Sequence, residues 1–211
     1  MKRTRSPLPL LLFATLAAGA GNGVTIVAFP WLALQRNGSA ADAAVVAMAG
    51  TVPLLASTLL AGAAVDYLGR RRVSMISDAL SGLSVAMVPL LALLLGDGAI
   101  NVVSLSALAA LGAVFDPAGM TARISMVPEA AEQAGWSLDH ANSGYQAAFN
   151  LAYIVGPGAG GLLIATLGGV QTMWVAALLF GAAMLAVAVI RLAGAGRPDR
   201  AKLPDRLWPG I

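Results

Sequence analysis

Two aspartates stand inside long apolar stretches of this chain. Asp116 interrupts one apolar run, and Asp78 lies near the start of another. A charged side chain at the centre of a membrane helix costs ~2.5–3.5 kcal/mol on insertion scales, so such residues usually face a cavity or a partner. Burial favours the neutral form of a carboxyl group. We therefore expect Asp116, with Asp78 as a weaker candidate, to bind and release a proton.

Each aspartate also has a purely structural interpretation. Arg123 lies about two helical turns after Asp116 on the same helix face, and it could neutralise that carboxylate. Asp78 is close in sequence to the arginines at positions 70–72 and could form an ion pair with one of them. The sequence alone leaves both alternatives open.

Neutral polar residues mark a second candidate site. Gln146, Asn150 and Tyr153 are spaced so that they share one face of a helix. In an apolar helix, such a stripe should face water or the protein interior. Asn22, between two glycines of the first apolar stretch, could bind a substrate or hydrogen-bond a neighbouring helix. These four residues form the predicted substrate cavity.

The composition excludes most other chemistry. The chain has no cysteine and one histidine, which leaves no basis for a disulfide framework, a thiol nucleophile or a histidine-rich metal site. It carries no phosphate-binding glycine loop and no nucleic-acid motif. Charged residues make up 11% of the chain, against about 25% in a soluble domain. We expect a membrane protein that is not an enzyme, without cofactor, metal or nucleic-acid partner.

Six apolar segments must position these residues, and each is long enough to cross a hydrocarbon core of about 30 Å. Lysine and arginine cluster at the chain start, at positions 70–72 and in the tail, whereas Arg36 stands alone on the other side. This positive-inside pattern predicts that both termini are cytoplasmic. The basic start also resembles a signal peptide, but the apolar run continues to Leu34, which favours an uncleaved helix. The segments are Leu8–Leu34, Ala43–Val65, Val73–Leu95, Ile100–Ala122, Leu138–Leu167 and Val170–Leu192.

The loop between the second and third segments carries a recognisable pattern. Gly62, Asp66, Gly69, Arg70 and Arg71 fall on the positions of G-x-x-x-D-x-x-G-R-[RK]. This loop resembles the signature of the major facilitator superfamily, a large group of secondary transporters. The resemblance implies that Asp66 and Arg70 act in a conformational latch on the cytoplasmic side. The alternative is that the arginines only set topology and bind anionic lipid headgroups.

The fifth segment adds a second resemblance. Gly156, Pro157, Gly160 and Gly161 match the end of that family's antiporter motif, G-P-x-x-G-G, although Ala152 replaces a glycine of the full pattern. The alternative is a kinked, tightly packed helix without a role in coupling. Two further patterns resemble bacterial drug and siderophore exporters of the family; they are Phe115-Asp116-Pro117-Ala118 and Val127-Pro128-Glu129.

Together these resemblances imply an all-α polytopic protein with six transmembrane helices in two inverted three-helix repeats, equivalent to one half of a major facilitator fold. The predicted domains are a six-helix unit at 1–192 and a cytoplasmic tail at 193–211. The implied function is proton-coupled export of a small amphipathic compound across the bacterial inner membrane, by a parallel homodimer of half-sized chains. The alternative is a non-transporting fragment or membrane scaffold that lacks a C-terminal half.

Overall fold

The computed structural model describes residues 7–192, so the predicted tail at 193–211 lies outside the described residues. Within them the chain folds into seven α-helices and one short 3-10 turn, Asp97–Ala99. Six spans are long and apolar enough to cross a membrane, the fourth formed by α4 and α5 together. The prediction of six spans is confirmed. The helices are α1 Pro7–Asn37, α2 Ala40–Leu68, α3 Arg70–Leu95, α4 Val102–Ile124, α5 Val127–Ala134, α6 Leu138–Leu167 and α7 Gly169–Val189.

Local sequence signals define the helix ends. Gly69 separates α2 from α3 at φ +85°, and Gly168 separates α6 from α7 at φ +86°, a conformation that glycine adopts without steric cost. The side chain of Asn101 caps α4 and exchanges hydrogen bonds with Ser104 in a capping box. Ser137 caps α6 by accepting a bond from the backbone N–H of His140. These signals allow sharp turns between long antiparallel helices.

The region between the fourth and fifth predicted segments is not a simple loop. It contains the amphipathic helix α5, which buries Val127, Ala130 and Ala131. Proline is favoured in the first helical turn, where its missing N–H is not needed, and the acidic Glu129 suits the helix N-terminus. The apolar face of α5 packs against α1 and α6. The short helix is therefore stabilised by tertiary contacts that hydropathy does not reveal.

The packing of the spans follows two inverted repeats. Helix α1 packs against α6 and α7, and α4 packs against α2 and α3. In the two repeats, α1 corresponds to α4, α2 to α6 and α3 to α7. The contacts of α1 with α6 and α7 in one repeat therefore correspond to the contacts of α4 with α2 and α3. The contact between α3 and α7 joins two equivalent helices, so it is unchanged when the repeats are exchanged. The predicted fold class is confirmed by this arrangement.

Glycines bring α1 and α6 into close contact. A Cβ atom added at Gly23 would lie 2.7 Å from the Cα of Gly156, and one added at Gly160 would lie 3.1 Å from the Cα of Val24. One turn away, a Cβ atom at Gly19 would lie 2.7 Å from the Cβ of Ala152. Small residues at i and i+4 let helix backbones approach, which is a main source of packing energy in lipid. This contact fixes the two helices that carry Asn22 and Tyr153.

Candidate functional site

A cavity of about 210 Å³ lies between the two repeats. Its walls are mostly apolar and include Phe29 and Phe180. Polar atoms enter from α1, α2, α3, α4 and α6 at a few positions, which are Asn22, Thr25, Thr51, Ser81, Ser84, Asp116 and Tyr153. Among the described residues that line the cavity, Asp116 is the one with a charged side chain. An apolar pocket with few polar groups has the composition of a small-molecule site.

Asp116 is held against α3 by a hydroxyl group. The Oγ of Ser81 donates to its Oδ1 at 3.0 Å, and the same hydroxyl lies 3.4 Å from the carbonyl oxygen of Gly112. Asp116 lies about 12 Å along the helix axis from Ile124, where α4 ends, at ~1.5 Å per residue. The predicted proton site therefore sits in a cavity, well inside its span.

Asp78 and Arg123 form a buried ion pair. Arg123 Nη1 lies 2.7 Å from Asp78 Oδ1, with side-chain exposures of only 4% and 2%. The same nitrogen lies 3.4 Å from the Oγ of Ser74. Two turns on one helix separate residues by about 10.5 Å, whereas α3 and α4 pack side by side. Arg123 therefore pairs across the helices with Asp78 rather than with Asp116.

This geometry corrects two of the structural alternatives. The pairing of Asp116 with Arg123 is wrong, and so is the pairing of Asp78 with the arginines at positions 70–72. Those arginines stand at the start of α3, and two of them contact the ends of other helices instead. Asp78 lies two turns deeper, where Arg123 reaches it from α4.

A stripe of serines that was not predicted from the sequence joins α3 to α4. Ser77 donates to the carbonyl oxygen of Phe115 at 2.7 Å, and Ser84 donates to the carbonyl oxygen of Leu108. With Ser74 and Ser81, these residues recur at helical spacing along one buried face of α3. This spacing is visible in the sequence and could have been used to predict the stripe. The stripe connects the ion pair at one end with the cavity at the other.

Of the predicted polar stripe on α6, one residue lines the cavity and two do not. Tyr153 lines the cavity together with Asn22. Gln146 and Asn150 are exposed and bond to each other, with Gln146 Nε2 donating to Asn150 Oδ1 at 3.0 Å. Phe149 stacks near Tyr153, with ring centroids 4.6 Å apart. Gln146 and Asn150 extend the polar face of α6 beyond the cavity lining.

The signature loop connects three helix ends. Arg70 Nη1 donates to the carbonyl oxygen of Ser125 at 2.7 Å, and its Nη2 lies 3.3 Å from Glu129 Oε2. Arg71 donates to the carbonyl oxygen of Ala188 in the last turn of α7. Cations at helix C-termini satisfy free carbonyls and complement the helix dipole. The contact of Glu129 with the loop was not predicted, although Glu129 belongs to the pattern Val127-Pro128-Glu129.

Asp66, the acidic residue of the signature loop, takes no part in these ion pairs. Asp66 is exposed at the end of α2, and within residues 7–192 it forms no ion pair. A Cβ atom added at Gly62 would meet open space. Arg70 therefore bonds to α4 and α5 rather than to Asp66. The latch prediction for Asp66 remains a prediction.

Only part of the glycine motif on α6 serves the contact with α1. Gly156 and Gly160 lie against the backbone of α1, whereas a Cβ atom at Gly161 would meet open space. Pro157 lies inside the helix, and its Cδ would lie 2.8 Å from a Cβ atom at Gly23. The geometry thus supplies a packing role for Gly156, Pro157 and Gly160.

Residues 11–209 match the family described as Major Facilitator Superfamily. The chain belongs to the major facilitator superfamily. It is 69% identical over 207 residues to the multidrug efflux pump Tap of Mycolicibacterium fortuitum, a match that covers 98% of this chain and 51% of the relative. It is 60% identical to the proteins of the same name from Mycobacterium bovis and Mycobacterium tuberculosis, again over 98% of this chain and 49% of each relative.

The chain spans about half the length of these curated relatives. The predicted family is confirmed, and the names of the relatives agree with the prediction of a transporter rather than an enzyme. A multi-pass membrane protein follows from the six apolar spans and from the family.

Proposed function

We propose that this chain is a six-helix domain of a secondary active transporter that exports small amphipathic compounds in exchange for protons. The observation that carries the proposal is the apolar cavity between the two repeats, with one carboxylate in its lining. The cavity has room for a small molecule, and the carboxylate offers a site for a coupling proton. The relatives are named as multidrug efflux pumps, which supports export as the direction of transport.

Alternating access requires the cavity to open to each side of the membrane in turn. In this family's parallel arrangement, two six-helix units rock against each other around a site near the bilayer midplane. We place this chain in the plasma membrane with both termini in the cytoplasm, as the distribution of lysine and arginine supports. Arg72 is exposed at the start of α3 and is available to anionic lipid headgroups.

Asp116 is the proposed proton-binding residue. Asp78 is the weaker candidate because Arg123 already neutralises it. We expect Asp116→Asn to abolish transport driven by a proton gradient, since an amide in this position cannot bind and release a proton. The measurement is uptake of a fluorescent amphipathic compound into proteoliposomes with an imposed proton gradient.

The matched control is Asp139→Asn, which removes a carboxylate from the exposed start of α6. This variant should transport like the parent. If transport by Asp116→Asn keeps its full response to the gradient, Asp116 has no part in coupling.

The loop provides a second prediction. We expect Arg70→Ala and Asp66→Asn to slow transport severalfold, because charges at a moving interface help to set the balance between conformations. The ion pair of Arg70 with Glu129 is partly exposed, so its loss should lower stability by only ~0.2–1 kcal/mol. Uptake into vesicles is to be compared with membrane expression.

The neighbouring Arg72→Ala serves as the control for the loop. Arg72 is exposed, so its replacement should leave transport near the parent rate. Parent-like transport in both Arg70→Ala and Asp66→Asn would show that the loop is no latch in this protein.

We infer that the working unit contains a second six-helix domain, and we propose a parallel homodimer as its form. Support comes from the open side of the cavity, where α2 buries only Val46, Ala61 and Val65. Exposed apolar residues continue along this helix and along α6, including Leu59 and Ile154. The alternative partner is a distinct second half, in which case the chain alone does not transport.

Cross-linking distinguishes these arrangements because the chain has no cysteine. A single cysteine at Asn150 should cross-link two copies in nanodiscs, since Asn150 lies on the polar face of α6. A cysteine at Leu178, which is exposed on α7, should cross-link much less. A chain that transports as a monomer would refute the homodimer. A monomer without transport would support the fragment or scaffold alternative.

A further inference from the structure

A second, smaller cavity adjoins the larger one. Its volume is about 10 Å³, at the lower end of the ~10–15 Å³ that one water molecule needs. Thr15 lines it from α1, Arg123 from α4 and Tyr145 from α6. Asn22 and Tyr153 line both cavities. The small cavity is therefore a point of contact between the walls of the larger cavity and the buried guanidinium of Arg123.

This guanidinium is only partly bonded. Nη1 of Arg123 contacts Asp78 at 2.7 Å and Ser74 at 3.4 Å. Its Nε is buried and has no hydrogen-bond partner among the described residues. A buried donor on a charged group that lacks a partner keeps its full desolvation penalty. A polar ligand in the cavity that Arg123 lines would remove this penalty.

Oxygen atoms supply the other half of the lining. The hydroxyl of Thr15 donates to the carbonyl oxygen of Leu11 at 3.0 Å, and the hydroxyl of Tyr145 donates to that of Met120 at 3.4 Å. A hydroxyl group has one proton to donate but can also accept, so both oxygens remain available as acceptors. Asn22 adds an amide oxygen. The lining thus combines one N–H donor without a protein partner and several acceptors.

We propose that the small cavity is a binding site for a single water molecule. The water accepts a hydrogen bond from Nε of Arg123 and donates its two protons to oxygen atoms of the lining, of which Thr15 and Tyr145 are the two hydroxyls. A buried water with about three such bonds is a normal part of a folded protein. This water joins α4 to α1 and α6, and it holds the guanidinium in the orientation that reaches Asp78.

Other small occupants fit the lining less well. An inorganic cation would lie beside the positive guanidinium, with no carboxylate among the described residues that line this cavity. A halide can accept the bond from Nε but has no proton to donate, so it would face the acceptor oxygens of Thr15 and Tyr145. An apolar occupant would leave Nε without a bond. Water satisfies the donor and the acceptors together.

The test is X-ray radiolysis of the purified 211-residue chain in detergent, with oxidised residues identified by mass spectrometry. Radiolysis converts water into hydroxyl radicals, which oxidise the side chains that they touch. Tyr145 is buried, so it is oxidised quickly only if water is bound beside it. Met173 is the internal control, because it is buried, lines neither cavity and has a side chain that reacts readily with these radicals. We expect Tyr145 to be oxidised several times faster than Met173.

Thr15→Val removes one proposed acceptor and keeps nearly the same side-chain volume. It should slow the oxidation of Tyr145 severalfold, because the water loses a hydrogen bond. Thr172→Val is the matched control. Thr172 is also a buried threonine, and its hydroxyl donates to the carbonyl oxygen of Gly168 one turn earlier, but it lines neither cavity. This variant should leave the oxidation of Tyr145 at the parent rate.

Circular dichroism and size-exclusion profiles report whether each variant is folded. The comparison of Tyr145 with Met173 in the parent chain needs no variant, so it tests the site even if Thr15→Val does not fold. Equally slow oxidation of these two residues would overturn the proposal. Undiminished oxidation of Tyr145 in folded Thr15→Val would show that bulk water reaches it without a bound molecule, and this result would also overturn the proposal. Both measurements are independent of transport.

Discussion

Replacing Gly156 with leucine is expected to prevent α6 from packing against α1. A Cβ atom at this position would lie 2.9 Å from the Cα of Gly23 and 3.0 Å from the carbonyl oxygen of Ala20. Both neighbours are backbone atoms of a helix and cannot rotate away. Overpacking in an ordinary core costs ~1–3 kcal/mol, and a clash with backbone should exceed that range. We therefore expect most of the protein to be lost as aggregate.

Gly161→Leu is the matched control, since its side chain would enter open space on the same helix. The measurement is the apparent melting temperature in detergent, read from the monodisperse peak in size-exclusion chromatography after heating. Gly161→Leu should melt close to the parent. Equal melting temperatures for Gly156→Leu and the parent would mean that the close contact between α1 and α6 does not form.

Breaking the buried pair of Asp78 and Arg123 is expected to have the second large effect. Arg123→Gln leaves an ionised carboxylate without a cation, and Asp78→Asn leaves a guanidinium without an anion. Removal of one partner of a buried ion pair costs ~3–5 kcal/mol. The double variant, with asparagine and glutamine, leaves two neutral side chains that can still form hydrogen bonds. It should therefore recover most of the loss.

A double-mutant cycle measures this coupling because the two residues are in direct contact. Melting temperatures of the parent, both single variants and the double variant are required. A large positive coupling is expected, with the double variant more stable than either single variant. If the effects of the single variants simply add, Asp78 and Arg123 are not an ion pair.

Hydropathy and glycine placement were sufficient to predict the six spans. The predicted limits of the fifth segment, Leu138–Leu167, coincide with α6, because Ser137 caps one end and Gly168 closes the other. Such signals are local, so they can be recognised in a single sequence. The same is true of the signature loop, whose residues all fall between positions 62 and 71.

Features that depend on contacts between helices could not be predicted in the same way. The partner of Arg123 is decided by how α3 and α4 pack, because 45 positions separate it from Asp78 along the chain. Position in the sequence favoured Asp116, which lies on the same helix but about 10.5 Å away. The helix α5 was missed because its few buried residues produce too weak a hydropathy signal.

The two arginines after Gly69 belong to the first repeat, but they bond to the ends of α4 and α7 in the second. Any separation of the repeats on this side of the molecule would leave helix carbonyl oxygens without their arginine donors and break the contact with Glu129. A conformational change that separates the repeats on this side must therefore break three contacts made by only two side chains. The free energy of these contacts then contributes to the barrier between conformations.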